Sequence, residues 1–196
     1  MCRFAGVDVE ISMIDPHDQS SRDELLLMSP SFLVPCLTID GLEIWDTLAI
    51  GEYLNERSPD SGLLPSDRAL RAHCRSISGE MHSGFASLRS AMPMNMKARH
   101  IDFKIFTGAR ADIDRIEEIW RTCLERSGGP FLFGEKPSMA DAMYAPVCSR
   151  LHTYSVETDG ACPGYVDHML GLADLVDWTN AARSEPDEIL ELEAEF

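Results

Sequence analysis

The segment over 29–54 constrains the fold more than any other part of the chain. It reads SPSFLVPCLTIDGLEIWDTLAIGEYL. Residues 32–39 are rich in apolar and β-branched side chains, which favours a strand, but Pro35 cannot donate a ladder hydrogen bond and so suits an edge or a turn. If the Val34–Pro35 bond is cis, at a cost of about 0.5–1 kcal/mol, the backbone of Val34 faces a cleft. An extended ligand could then pair with it as an extra strand.

A hairpin and a helix follow this strand. Asp40-Gly41 is a turn signal, and residues 42–45 form the second strand. Asp46 and Thr47 then stand at the start of a helix over 47–57. A helix N-terminus attracts a carboxylate because its first N–H groups are unpaired. The segment therefore predicts a pocket for a small zwitterionic peptide.

The chain changes character near residue 60. Before it, a strand over 7–14, a helix over 20–28 and the hairpin alternate, which indicates an α/β domain. After the connector SPDSGLLP, whose prolines and glycine interrupt helices, the pattern is helical throughout. We therefore predict four segments: an α/β domain over 1–57, a linker over 58–66, an all-helical domain over 67–183 and an acidic tail over 184–196.

Apolar residues at steps of three and four predict two long helices. One stripe runs from 70 to 88 on a helix capped by Ser66, and another runs from 113 to 124. Gly128-Gly129-Pro130 ends the second helix.

The spacing Ser138-Met-Ala-Asp141 predicts a capping arrangement at the start of a buried helix. Pro146 lies inside that helix and removes one hydrogen bond, which predicts a kink near Met143. Two short helices, over 165–170 and 173–182, complete the bundle.

Charge and composition exclude several classes of protein. The formal net charge is -16 and the 17 basic residues are scattered, which argues against a nucleic-acid partner. No apolar run approaches the roughly 18 residues of a membrane span, and no secretory signal begins the chain, so we expect a cytoplasmic protein. The tail over 184–196 holds six acids and no base, and is predicted to be a solvated appendix or a weak helix.

The six cysteines lack CxxC and metal-ligand spacing. We expect no metal, and thiols that are reduced and mostly buried.

Four motifs in series identify a family. They are Val34-Pro35, then Asp46-Thr47 with Leu48-Ala49-Ile50 and Tyr53-Leu54, then Leu63-Leu64-Pro65, then Phe133-Gly134 leading to Ser138-Met-Ala-Asp141. In this order the chain resembles the cytosolic glutathione S-transferases, and residues 78–99 resemble bacterial members of unassigned subclass. The resemblance implies a thioredoxin-like N-terminal domain, an all-α C-terminal bundle and a homodimer with its active site near the domain interface. It also implies detoxification, with glutathione as the cosubstrate and a small, hydrophobic electrophile as the partner.

The resemblance assigns roles to four residues. Val34 is similar to the residue whose backbone pairs with the cysteinyl part of glutathione, and Pro35 is similar to the family's cis-proline. Asp46 and Thr47 resemble the acidic and hydroxyl residues that hold the γ-glutamyl end. Their chemistry agrees, because the hydroxyl and the helix N–H groups suit a carboxylate while Asp46 suits an ammonium. The alternative is that Asp46 is only an N-cap worth about 1 kcal/mol and Pro35 only a turn residue.

The chain departs from the family pattern in two ways. Leu33 stands where many members have a lysine for the glycyl carboxylate. The family's first strand, and the turn whose Ser, Tyr or Cys activates the thiol, belong ahead of Val7, where residues 1–6 stand instead. We interpret these six residues as the end of the first helix, with Phe4-Ala5-Gly6 as its exit turn. The thioredoxin-like domain is thus incomplete at its start, and we expect a natural protein roughly 20 residues longer that supplies the catalytic group.

Other polar side chains are weaker candidates. Cys2 lies late in the inferred helix, away from the N-terminus that would stabilise a thiolate, and Cys36 reads as a core residue. Four side chains are predicted to line a second-substrate pocket: His82, Arg89, Asn95 and Arg99. Local hydrogen bonds and salt bridges explain the histidine and the arginines equally well.

Two classes of function follow. The first is an enzyme that transfers glutathione to an electrophile, or uses it in isomerisation or reduction, by lowering the pKa of the thiol. The second is a non-catalytic binding or dimerisation module of the same fold. Leu33 and the short N-terminus favour the module, whereas Asp46-Thr47 favours the enzyme.

Overall fold

The structure is a computed structural model that describes residues 1–13 and 34–185. It divides into two compact units, Met1–Leu63 and Leu64–Phe196. The predicted helix over 20–28, Leu33 and the tail beyond residue 185 lie outside the described residues.

A two-stranded antiparallel hairpin organises the first unit. Strand β1 spans Cys36–Ile39 and strand β2 spans Leu42–Trp45, with Cys36 opposite Trp45 and Ile39 opposite Leu42. Asp40 and Gly41 both have positive φ, at 51° and 78°, which is the geometry of a type I′ turn. This turn matches the right-handed twist of the strands, and the predicted Asp-Gly hairpin is confirmed.

Helix α1 spans Thr47–Arg57 and begins where it was predicted. A 3₁₀ turn over Pro59–Ser61 follows it. The core of this unit centres on Leu54 and Leu63, which are fully buried. Burial of such a side chain contributes about 1.5–3 kcal/mol. The other members of this core are Ala5 and Ile50, with Leu37 and Ile44 of the hairpin packed against them.

Residues 1–7 form a single helical turn that closes at a left-handed glycine. The N–H of Val7 donates to the C=O of Cys2 at 2.9 Å, the N–H of Gly6 donates to the C=O of Arg3 at 3.0 Å, and Gly6 has φ of 68°. These two bonds around a left-handed glycine define a Schellman motif. The turn predicted at Phe4-Ala5-Gly6 is therefore present, and its assignment to the end of the family's first helix stays a prediction.

Residues 7–13 form no strand with any part of the chain that the structure describes, so the prediction of a strand over 7–14 is wrong for those residues. Alternating apolar side chains make a strand only where a neighbour supplies the ladder hydrogen bonds. Here Val9 and Ile11 are 43% and 60% exposed.

The second unit is built from six helices in its described residues. Its helices are α2 (Arg68–Ser83), α3 (Ala86–Ala91), α4 (Thr107–Ser127), α5 (Met139–Thr153), α6 (Cys162–Leu170) and α7 (Ala173–Ser184). Helix α5 packs against α2 and α6, and α3 packs against α4. No helix among residues 1–13 and 34–185 combines the length and the apolar character that a membrane span needs.

The predicted stop at Gly128 is confirmed by its left-handed φ of 65°. Helices α6 and α7 confirm the two short helices predicted at the end of the bundle.

The long helix predicted over 70–88 differs in two respects. Its cap is Asp67 rather than Ser66, since Asp67 Oδ1 accepts from Leu70 N at 2.8 Å. The helix also ends at Ser83, because the chain turns at Gly84 and resumes as α3. A Cβ atom at Gly84 would lie 2.6 Å from the carbonyl oxygen of Glu80. Only glycine fits this close approach, and the apolar spacing does not reveal it.

The carboxylate of Asp141 joins three segments of the second unit. Its Oδ2 accepts from the N–H and the hydroxyl of Ser138 at 2.8 and 2.7 Å, which confirms the predicted capping contact at the start of α5. Its Oδ1 accepts from Leu132 N and from the Tyr165 hydroxyl, each at 3.0 Å. Burial raises the pKa of Asp141 above the ordinary aspartate value, and these four hydrogen bonds oppose that rise. The kink predicted near Met143 stays a prediction.

We expect Asp141→Ala to lower the free energy of unfolding by about 3 kcal/mol, because two buried N–H donors lose their acceptor at about 1–3 kcal/mol each. Denaturant unfolding followed by circular dichroism measures the change. The control is Asp167→Ala, which removes an exposed carboxylate from α6. Equal stabilities for the two variants would contradict this role of Asp141.

Candidate functional site

The four binding residues predicted in the first unit lie together at the open end of the hairpin. The last ladder pair joins Cys36 to Trp45, so Pro35 and Asp46 are the next residues on the two strands. Paired strands lie about 5 Å apart. Val34 and Thr47 come one residue further along each chain. The register of the hairpin thus brings Val34-Pro35 alongside Asp46-Thr47.

Val34 is an exposed residue whose backbone has no partner in the part of the chain that the structure describes. The Val34–Pro35 bond is cis, and Val34 is 63% exposed. Within the described residues, neither the N–H nor the C=O of Val34 forms a hydrogen bond. A backbone donor and acceptor side by side at a strand end form the edge to which an extended peptide adds. The N–H and the C=O of Val34 could therefore form two β-type hydrogen bonds with the backbone of an extended ligand.

Asp46 combines a helix cap with a rare backbone conformation. Its Oδ1 accepts from Leu48 N at 2.8 Å and from Ala49 N at 3.4 Å. Its φ of 75° and ψ of 127° lie outside the regions that residues other than glycine usually occupy. Such conformations cost about 1–3 kcal/mol and concentrate at functional sites. The capping bonds offset part of that cost, and Asp46 stays half-buried at the site.

Opposite charges lie next to each other at this end of α1. Thr47 is the first helical residue and is half-buried, so its hydroxyl lies at the positive end of the helix dipole. The carboxylate of Asp46 adds a negative charge one residue earlier. A ligand group that carries both an ammonium and a carboxylate matches this pair.

The predicted second-substrate residues lie in the second unit, and two of them are on α2 and α3. His82 is exposed near the end of α2. Arg89 is exposed on α3, and its Nε and Nη2 donate to the carbonyls of Gly84 and Met81 at 3.3 and 2.5 Å. These bonds hold the turn between the two helices.

Asn95 and Arg99 lie on a segment over 92–100 that is tied to the end of α5; we call it the strap. Asn95 Oδ1 accepts from the N–H groups of Lys97 and Ala98 at 2.9 and 3.1 Å, and Arg99 donates to the carbonyl of His152. The structure thus brings Asn95 and Arg99 onto one segment and leaves His82 and Arg89 on others. Their shared role in a pocket stays a prediction.

All six cysteines are free, which confirms the expectation of reduced, mostly buried thiols. Burial raises the pKa of Cys74 and of Cys162 to about 11 and that of Cys123 to about 12. Burial also raises the pKa of Cys148. Cys2 and Cys36 are half-buried. No group of three or more His, Cys, Asp or Glu with the arrangement of a metal site occurs among the described residues.

The sequence prediction missed Arg150, a buried cation on α5. Arg150 is 8% exposed, and its Nε and Nη1 donate to the carbonyls of Met92 and Pro146 at 2.9 and 3.2 Å. Its one signal in the sequence is a lone charge within the apolar run AMYAPVCSRL. Arg150 lies against the strap, close to two of the predicted pocket residues in sequence.

The burial of the thiols predicts their reactivity. We expect iodoacetamide at about pH 8 to modify Cys2 and Cys36 first, because a thiol that is buried and has a raised pKa supplies little accessible thiolate. Mass spectrometry of the native protein reads out the sites, and the unfolded protein, in which all six should react, is the control. Rapid native labelling of Cys74 or Cys148 would contradict the described core.

Comparison with known proteins gives consistent similarities. The model of the glutathione S-transferase N-terminal domain matches residues 1–57, and that of the C-terminal domain matches residues 95–183. A maleylacetoacetate isomerase of Rattus norvegicus is 31% identical over 156 residues, which cover 78% of this chain and 70% of that protein.

Two solved structures share the fold. A glutathione transferase homolog from Burkholderia gl BGR1, with bound glutathione, has a TM-score of 0.66 at 22% identity, covering 94% of this chain and 88% of that one. A Tau class glutathione S-transferase from Mangifera indica has a TM-score of 0.68 at 21% identity, covering 93% and 87%.

Proposed function

Since the chain belongs to the glutathione S-transferase family, we propose that it binds glutathione at the open end of its hairpin. The fold has the family's two parts, a thioredoxin-like first unit and an all-α second unit. The bound thiol is then transferred to a small electrophile or used in isomerisation or reduction. The observation that carries the proposal is the register that sets the unpaired backbone of Val34 beside Asp46 and Thr47.

Each part of glutathione has a chemical match at this end of the hairpin. The backbone of the cysteinyl residue pairs with the N–H and C=O of Val34. The γ-glutamyl ammonium pairs with Asp46, and its carboxylate takes the hydroxyl of Thr47 at the positive end of α1. Together these contacts orient the peptide and hold its sulfur in one place. The proposal assigns these residues to binding, not to activation of the thiol.

The similarity to a protein named maleylacetoacetate isomerase favours isomerisation among the reactions of the bound thiol. In isomerisation glutathione is returned unchanged, whereas in transfer it remains in the product. The reaction requires a thiolate, which adds to the substrate and is later eliminated.

The second candidate is a non-catalytic module that binds glutathione or forms a dimer. Leu33 favours it, because a leucine cannot pair with the glycyl carboxylate. Thiol turnover against a generic electrophile separates the two candidates. Retention on immobilised glutathione without turnover would exclude the enzyme for this chain. A cytoplasmic location and a homodimer complete the proposal, and light scattering after gel filtration tests the dimer.

We expect Asp46→Asn to weaken glutathione binding about tenfold or more. A hydrogen bond to a charged group is worth about 1.5–3 kcal/mol, and about 1.4 kcal/mol corresponds to a factor of ten. Asparagine caps a helix as well as aspartate does and tolerates positive φ, so the free energy of unfolding should change by less than about 0.5 kcal/mol. Isothermal titration calorimetry measures the affinity.

The matched control is Glu43→Gln, which neutralises an exposed carboxylate on β2 of the same hairpin. It should leave glutathione binding unchanged. Equal losses in the two variants would mean that net charge, and not contact with Asp46, governs binding.

A further inference from the structure

A cavity of about 370 Å³ lies in the second unit, between the start of α2 and the end of α4. Helix α2 contributes Leu70 and His73 to its walls, and α4 contributes Cys123. The turn that follows α4 contributes Leu132 and Phe133. Small-molecule sites usually have volumes of about 300–1,000 Å³ and mostly apolar walls. The cavity is therefore large enough and apolar enough to hold a small organic molecule.

The wall formed by this turn is fixed by contacts within the protein. Phe131 and Gly134 exchange two backbone hydrogen bonds, at 3.1 and 3.2 Å, which close a turn with Leu132 and Phe133 at its tip. The N–H of Leu132 is also bound by the buried carboxylate at the start of α5. The ring of Phe133 meets the ring of His73 edge to face, with centroids 5.7 Å apart, which is an arrangement that aromatic pairs favour. The apolar wall is thus formed before any ligand binds.

Two opposite charges line the same cavity without pairing with each other. They are Asp67, the N-cap of α2, and Arg126, in the last turn of α4. Asp67 Oδ1 accepts from Leu70 N at 2.8 Å, but Asp67 forms no ion pair with the residues that the structure describes. Arg126 forms neither a hydrogen bond nor an ion pair with them, although acidic residues outnumber basic ones by 33 to 17 in the chain. Both charges therefore keep hydrogen-bonding capacity for a ligand.

We propose that this cavity binds a small zwitterion with an apolar body, which is the chemistry of an aromatic α-amino acid. The guanidinium of Arg126 binds the carboxylate through parallel N–H groups, and the carboxylate of Asp67 binds the ammonium. The apolar body packs against Leu70, Leu132 and Phe133. A simple anion would be repelled by Asp67 and a simple cation by Arg126, so the pair of charges selects a ligand that carries both.

The site does not depend on the proposed glutathione function. All of its lining residues belong to the second unit, and its test contains no glutathione. The open end of the hairpin also suits an ammonium and a carboxylate, so the test must locate the ligand as well as detect it.

Amide chemical shifts measured by NMR during a titration with L-phenylalanine both detect and locate binding. The largest changes are expected at residues 67–73 and 123–133. 3-Phenylpropionate lacks the ammonium and phenethylamine lacks the carboxylate, so each should bind about tenfold more weakly than L-phenylalanine. An absence of changes at the cavity, or changes confined to the hairpin, would overturn the proposal. An analogue that binds as tightly as L-phenylalanine would contradict recognition of the group that it lacks.

Variants that neutralise one charge identify the two contacts. Asp67→Asn keeps a side chain that caps a helix, and Arg126→Gln changes an exposed side chain. Each should bind L-phenylalanine about tenfold more weakly than the unchanged protein. Asp67→Asn should no longer distinguish L-phenylalanine from 3-phenylpropionate, and Arg126→Gln should no longer distinguish it from phenethylamine.

The matched control is Arg68→Gln, at an exposed arginine in the first turn of α2 that does not line the cavity. It should bind L-phenylalanine as the unchanged protein does. Undiminished affinity in Asp67→Asn or in Arg126→Gln, or an equal loss in Arg68→Gln, would contradict the site.

Discussion

The register of the β1–β2 hairpin is the constraint on which the candidate site depends. Pairing Cys36 with Trp45 brings the backbone of Val34 to the start of α1, and a slip by one residue would send every side chain of one strand to the opposite face. The Asp40-Gly41 turn sets this register, because both residues adopt the positive φ of a two-residue turn. Leu37 and Ile44, which pair across the ladder, hold it by packing on the core of the first unit.

The features that sequence predicted correctly are those with local physical causes. Asp-Gly specifies a turn, an acid before an apolar run specifies a cap, and Ser138 with Asp141 specifies a capping contact, each within a few residues. The break at Gly84 escaped prediction because its cause is an approach to the carbonyl of Glu80, which apolar spacing does not encode. The strand over 7–14 was predicted from alternation alone, and alternation does not supply a neighbouring strand.

The residues of the candidate sites also divide into those placed by local sequence patterns and those placed by contacts between distant segments. The arrangement of Val34, Pro35, Asp46 and Thr47 follows from one hairpin and one helix start, so local patterns were sufficient to bring these residues together. The polar residues of the second unit depend on contacts between distant segments. Arg150 reaches the carbonyl of Met92 across 58 positions of sequence. Residue type alone could not distinguish this arginine from the solvated arginines of an acidic protein.

The electrostatics of the candidate site differ from those of the whole chain. The chain carries a formal net charge of -16, yet the N-terminus of α1 places positive potential where the carboxylate of a ligand would bind. The site would hold its ligand through directed hydrogen bonds rather than through the overall field, which repels anions.

Amide chemical shifts measured by NMR during a titration with reduced glutathione test the central claim most directly. The account predicts that the largest changes occur at Val34 and at residues 46–48, which flank the open end of the hairpin. Cysteinylglycine, which lacks the γ-glutamyl group, should shift Val34 but leave Asp46 and Thr47 nearly unchanged. Glutathione-dependent changes confined to the helical unit, with none at the hairpin, would contradict the account.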